Sequence, residues 1–529
     1  MKIAMFFAVA LIATAASAQG LGPVRTSGGQ ISGLASEPGV TAYLGIPYAK
    51  APTGQGRWRP PAPAAPFGSM KALSYGPGCI QGDTARTDPW SREYYADPPF
   101  SEDCLSLNIW TPAAKPGAKL PVALWIHGGG MVQGSSNEPI YDGSHLAKQG
   151  VVFVSINYRL GVLGFLAHPD LRATSATGES GNYGILDDIA ALKWVRANIA
   201  AFGGDPAKVT IIGQSAGARS VQALLFSPLA KGLFRGAIAE SGIPFIMPGQ
   251  NQEPGPRDEM EAVGVAFAKS RGVDSAAGLR ALPVDRLIAP APNTPFRGSP
   301  TVDGVVIPRP IPEAVRLAPV NDVPVLLGHN GDEADVRQPL TQPVSGDEYV
   351  KRAREAYGPD ADRFLQLFPA APDSTRTAQV SGHLRVMTGV GDWAANRAAH
   401  SKSPVFVYDF THRTPGPVNQ TWGSFHSSEI VYWTRNLDRL DRPWTTGDRK
   451  LSETVSGYWL NFIKTGQPNG PALPQWQAFG AASRQVMDLG EQPHMRPVAS
   501  PEVTAFFQGY YDRLHEPDAR RAAQAGAAQ

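Results

Sequence analysis

Cysteine is almost missing from this chain, with only Cys79 and Cys104 in 529 residues. Net charge is almost missing too. The 48 Lys and Arg against 46 Asp and Glu leave +2, no electrostatic footprint for nucleic acid or an anionic membrane surface. Past the first twenty residues no apolar run is long enough to span a bilayer. No internal repeat is seen, and no G-K-[ST] signature follows the glycine-rich stretches, which argues against a phosphate-binding loop.

What is present is ordinary globular material, 42% hydrophobic and 18% charged, with 56 Gly and 49 Pro that suit a loop-rich enzyme. Residues 1–18 read as a secretory signal peptide: Lys2, an apolar stretch over 3–13, and the cleavage site Ala16-Ser17-Ala18. No Cys near that site could carry a lipid. The mature chain is expected to start near Gln19 and to be exported, periplasmic or secreted. In an oxidising compartment the two cysteines should pair, closing a loop worth roughly 3–4 kcal/mol in the chain-entropy model.

Short apolar, β-branched runs recur at 122–126, 151–156, 209–212, 237–239, 323–327 and 405–408. Near-continuous apolar runs fit strands buried on both faces, as in a mostly parallel sheet. Ile185, Ile189, Leu192, Val195 and Ile199 recur at helical spacing, with Asp188, Lys193 and Arg196 expected on other faces and Gly203-Gly204-Asp205-Pro206 as the stop. Alternating strands and helices indicate an α/β domain whose ligands gather at the carboxyl ends of the strands. Residues 515–529 read as a frayed tail, leaving 19–514 for the domain.

Gly213-Gln214-Ser215-Ala216-Gly217 follows the 209–212 run and precedes a helix-compatible stretch. That is the setting in which G-x-S-x-G presents a nucleophilic serine on a sharp turn. Chance supplies on the order of 0.3 such pentapeptides in a chain this rich in glycine, so the pattern needs support. His127-Gly128-Gly129-Gly130, directly after the 122–126 run, gives it. The amides of Gly129, Gly130 and Ala216 are candidate oxyanion donors. The acid should follow the strand ending near Leu327, where Asp332, Glu333 and Asp335 compete and spacing does not choose. The base should come later, from His383, His400, His412, His426, His494 or His515. His426, in the loop Trp422-Gly423-Ser424-Phe425-His426 after the 405–408 strand, stands in the expected place.

These residues resemble the carboxylesterase/cholinesterase (type-B carboxylesterase) family of α/β-hydrolases. The likeness includes Gly45-Ile46-Pro47-Tyr48-Ala49, Glu102-Asp103-Cys104-Leu105-Ser106-Leu107-Asn108, Asn157-Tyr158-Arg159, Gly181-Asn182-Tyr183-Gly184 and Ser227-Pro228-Leu229. The resemblance implies an α/β-hydrolase fold, with a mostly parallel sheet flanked by helices and large insertions forming a substrate gorge. It supports the Cys79–Cys104 disulfide. It selects Glu333 from an N-x-D-E-G motif, here Asn330-Gly331-Asp332-Glu333-Ala334, and His426 from H-G-x-E, here His426-Ser427-Ser428-Glu429. Three departures stand out: Ala334 and Ser427 replace glycines, and Met131 replaces a frequent aromatic, which should alter the acyl pocket.

The reading that results is a serine hydrolase of carboxylic esters. Ser215 is the nucleophile, His426 the base and Glu333 the orienting acid, and the chemistry needs no metal or cofactor. Its partner is a small-molecule ester, with no nucleic acid and no membrane span. Gln214, where cholinesterases carry Glu, argues against a choline ester. Trp90, Tyr94 and Tyr95 in the disulfide loop are candidates for the gorge mouth. Segments 242–316 and 337–389 are candidates for the pocket walls, with Arg257, Arg297 and Arg337 among their charges. The competing readings are a non-catalytic adhesion module of cholinesterase type, or the same triad acting on amides or polyesters.

Overall fold

In the computed structural model of the chain, residues 20–82, 86–242, 254–289, 298–336 and 338–514 are described. The expected signal peptide and tail, His515, Arg297 and Arg337 lie outside the described residues.

Among the described residues eleven strands form the central sheet. In chain order they are β1 (Leu34–Glu37), β2 (Val40–Pro47), β3 (Ser106–Thr111), β4 (Leu120–Ile126), β5 (Val152–Ile156), β6 (Gly204–Gln214), β7 (Gly236–Glu240), β8 (Val325–Asn330), β9 (Val405–Phe410), β10 (Gln485–Asp488) and β11 (His494–Pro497). Their spatial order is β1-β2-β3-β5-β4-β6-β7-β8-β9-β10-β11. The strands from β5 to β10 run parallel, and antiparallel strands close both edges. This is the α/β-hydrolase architecture.

The alternation along β4 shows why these runs are apolar throughout. Val122, Leu124 and Ile126 pack into one core with helix α1 (Tyr183–Asn198) and helix α2 (Ala216–Phe226), through Ile185, Leu192, Val221 and Leu224. Ala123 and Trp125 enter a second core on the opposite face with Val455, Trp459 and Phe462 of helix α3 (Thr446–Thr465). A strand covered on both sides has no polar face to reveal its period.

The 209–212 strand is longer than its apolar run, because backbone pairing with β4 begins again at Gly204 beyond an irregularity. The Gly203 stop is real: it caps the end of α1 and its short 3₁₀ continuation at φ +82°. One expectation on α1 fails. Lys193 and Arg196 are exposed, but Asp188 is fully buried beside Asp187, which takes a bidentate ion pair from Arg159. Burial, the largest influence, drives the Asp188 carboxyl well above its ordinary pKa, which favours its neutral form in the core. Cys79 and Cys104 are disulfide-bonded. Among the described residues no helix is long and apolar enough to cross a membrane.

Candidate active site

Parallel register brings the ends of β4, β6, β7 and β8 to one edge of the sheet: Gly213 lies opposite Ile126, Gln214 opposite Glu240, and Glu240 opposite Gly328. Ser215 sits between the end of β6 and the start of α2 at φ 57°, ψ −119°. A non-glycine residue adopts that backbone only where the surroundings enforce it. Here they do. A Cβ on Gly217 would lie 2.0 Å from the Ile126 carbonyl oxygen, and one on Gly213 2.4 Å from the Gly217 carbonyl. The Ser215 amide donates to the Glu240 carbonyl at 2.8 Å, fixing the turn to β7.

The His127–Gly130 loop leaves β4 and turns back against this elbow. A Cβ on Gly128 would lie 3.2 Å from the Ser215 Cβ. Gly129 and Gly130 are left-handed, at φ +95° and +64°, and a Cβ on Gly129 would strike the Gln133 carbonyl. His127 is a supporting member. Its Nδ1–H donates to the Gly128 carbonyl, its ring stacks on Tyr158, and burial pushes its pKa down to about 4, so it stays neutral. Among the described residues no hydrogen-bond partner takes the amides of Gly129, Gly130 or Ala216. Met131 is fully buried in the core.

The structure separates the three competing carboxylates. Asp332 accepts from Arg413 Nε at 3.1 Å and from the Ser424 amide at 3.1 Å, and so staples the acid loop to the base loop. Asp335 is exposed. Glu333 is 2% exposed, and its Oε2 meets His426 Nδ1. Burial alone would raise the Glu333 pKa, but His329 and His426 together hold it well below the usual carboxylate range. The rival histidines are engaged elsewhere: His383 with Asp409, His412 with Asp448, and His400 and His494 with nearby carbonyls.

Two contacts on His426 are not legible in any motif. Trp90 donates its indole N–H to the His426 carbonyl at 3.0 Å and stands edge-on to the ring. Tyr94 and Tyr95 are instead buried, Tyr94 against Phe425 and Tyr95 on the Thr87 backbone. Gln214 places its Nε2 3.3 Å from His426 Nε2. An amide nitrogen can only donate, so His426 Nε2 is the bare acceptor and Nδ1 carries the proton facing Glu333. That is the base-competent tautomer. No hydrogen bond joins the Ser215 hydroxyl to His426 among the described residues; such bonds are commonly long before substrate binds.

The motif departures have different consequences. Ala334 is not in the left-handed region, so the missing glycine costs nothing there. Ser427 sits at φ +76° and bears the strain that a glycine would avoid. Glu429, the last member of the H-x-x-E pattern, is fully buried and accepts from Asn330 Nδ2 at 2.6 Å. Burial first, then the Glu333 charge, push it up to about 8. Within the 337–389 segment, a cavity of about 240 Å³ opens beside the acid loop, lined by Asp332, Ala334, Leu340, Tyr349, Tyr357 and Arg385. Arg257, expected near the pocket, is half-buried beside Gly304.

The family model for the carboxylesterase family matches residues 22–366 and 374–507. The chain belongs to the carboxylesterase family. As a carboxylesterase it is 35% identical over 495 residues to a fumonisin B1 esterase of Sphingopyxis macrogoltabida, covering 88% of this chain and 86% of that one. It is 34% identical over 485 residues to a para-nitrobenzyl esterase of Bacillus subtilis (strain 168), covering 89% and 95%. The solved structure of a thermophilic PNB esterase superposes with a TM-score of 0.77 at 31% identity, covering 92% of this chain and 99% of that one. The chain is a carboxylic ester hydrolase.

Proposed function

We propose that Ser215, His426 and Glu333 form the triad of this esterase and work through an acyl-enzyme. The observation that carries the reading is the Glu333–His426 pair, with the bare Nε2 of His426 turned to the elbow that presents Ser215. Ser215 Oγ attacks the ester carbonyl while its proton passes to His426 Nε2. The resulting oxyanion is received by the amides of Gly129, Gly130 and Ala216. His426 returns the proton to the departing alcohol. Water, deprotonated by the same nitrogen, then releases the carboxylate and restores Ser215. Glu333 orients the ring and balances the imidazolium.

Losing one oxyanion donor should cost about 10²–10³ in rate, and losing Ser215 about 10⁶. Ser215→Ala should abolish hydrolysis of a short p-nitrophenyl ester and labelling by a fluorophosphonate probe. Retained turnover would reject the assignment, and a wild-type protein that neither turns over nor labels would be an adhesion module. A small-molecule ester as substrate is supported by relatives named as a fumonisin B1 esterase and a para-nitrobenzyl esterase, and Gln214 in place of Glu argues against choline esters. We also assign residues 1–18 to export, with 19–514 as the hydrolase domain. N-terminal sequencing of the mature protein tests this: a start other than near Gln19 removes it.

A further inference from the structure

Glu333 serves two imidazoles. On its Oε2 is His426. On its Oε1 converge the Asn330 amide at 2.6 Å, the Ser241 hydroxyl at 2.5 Å and, at 3.0 Å, Nδ1 of His329. His329 is 2% exposed and sits on β8, one residue before the strand end. The same nitrogen lies 3.0 Å from the Asn330 carbonyl oxygen. Both neighbours of Nδ1 are acceptors, so Nδ1 carries a proton that is shared between the Asn330 carbonyl and the acid.

We infer that His329 is a positioning residue of the triad: its Nδ1–H completes a donor set that occupies Oε1 and leaves Oε2 alone to face His426. This rests on the triad assigned above and adds a residue to it. A carboxylate with a free Oε1 could rotate or could direct its full charge at His426. One whose Oε1 is saturated presents a single oxygen in a single orientation, with part of its charge already neutralised. The low pKa direction of Glu333, to which His329 contributes alongside His426, agrees with that geometry.

The charged surroundings are defined on every side. On the neighbouring strand β9, Asp409 lies in register with His329 and is itself bound by His383 and Arg496. From the acid loop come Glu333 and, paired to Arg413, Asp332. From the base loop come His426 and Glu429.

The test is the pH profile of kcat/KM on a short p-nitrophenyl ester for wild type, His329→Leu and His329→Asn, each titrated with a fluorophosphonate probe and the label mapped. Removing the donor concentrates the Glu333 charge on His426 and favours its imidazolium. In His329→Leu the acid limb should therefore move up by about half a pH unit or more and kcat fall about ten-fold, with KM unchanged. Asn offers an N–H near the position of Nδ1, so His329→Asn should restore the wild-type limb. A His329→Leu limb that superimposes on wild type or moves down overturns the inference. Should the Leu variant not fold, the Asn variant decides, because a displaced limb there overturns it equally. Ser215 labelled normally with superimposed limbs removes only the role of His329. A label mapped to another residue, or none, removes the triad and this inference with it.

Discussion

Replacing Gln214 by Glu should move the acid limb of esterase activity to higher pH. Gln214 donates to the bare Nε2 of His426 and so favours the neutral ring, the form proposed to take the Ser215 proton. A carboxylate there can only accept, and therefore favours the imidazolium. At the 3.3 Å separation of these atoms, a unit charge pair is worth about 1.3 kcal/mol at the dielectric of water and about 5 kcal/mol at an effective dielectric of about 20. Gln214 is 2% exposed and the His426 side chain 14% exposed, so the true value lies between these limits. With 1.36 kcal/mol per pH unit, the smaller figure already moves the limb by about one unit. In the proposed mechanism activity requires the neutral ring, and the imidazolium persists to higher pH, so the expected shift is upward. The assay is kcat/KM from pH 5 to 10 for wild type, Gln214→Glu and Gln214→Met. The Met variant removes the donor without adding charge and should fall between the other two. A Gln214→Glu limb that stays in place or moves down would refute the reasoning.

The two glycine departures predict opposite stability effects. Ser427→Gly, at φ +76°, should stabilise the fold by about 0.5–1 kcal/mol, while Ala334→Gly, outside the left-handed region, should destabilise it by a similar amount through chain entropy. Denaturant midpoints of the two variants check this, and shifts of equal sign would contradict it. Glu429 has its pKa raised to about 8, so the folded state resists its ionisation and wild type loses stability as pH climbs from the unfolded value near 4.5 to about 8. Relative to wild type, Glu429→Gln should gain stability across that window by up to about 1.4 kcal/mol per pH unit and level off above it. Urea unfolding at pH 5, 6.5 and 8 measures the slope, and a flat difference would show that Glu429 ionises as easily folded as unfolded.

Much of the candidate site could be read before any coordinates. Short motifs specify backbone: Gly213, Gly217, Gly129 and Gly130 stand where a Cβ would collide or φ is positive, and such demands are visible one residue at a time. The strands β4 to β9 were legible for a related reason, since burial on two faces writes an uninterrupted apolar run. The outlying strands β1, β2, β3, β10 and β11 were not; β1 and β11, the two edges, are four residues long and mix polar with apolar side chains, so neither writes an apolar run. Asp188 was misplaced because helical periodicity cannot tell a solvent face from a buried acid.

The choice among Asp332, Glu333 and Asp335 marks the boundary. The residues alone left three equal carboxylates within four positions, and family likeness was needed to prefer one. The tertiary structure separates Asp332 from Glu333 by partner, Arg413 and Ser424 for the first and His426 for the second, and leaves Asp335 at an exposed position. Sequence by itself determined the sharp turn at Ser215 and the glycine loop after β4, because those depend on local backbone geometry. Only the tertiary structure decided what surrounds His426, with Trp90 on its carbonyl, Gln214 on its Nε2 and His329 behind its Glu333 partner. These partners lie far from His426 along the chain, and their chemistry arises only when separate strand ends and loops converge on one edge of the sheet.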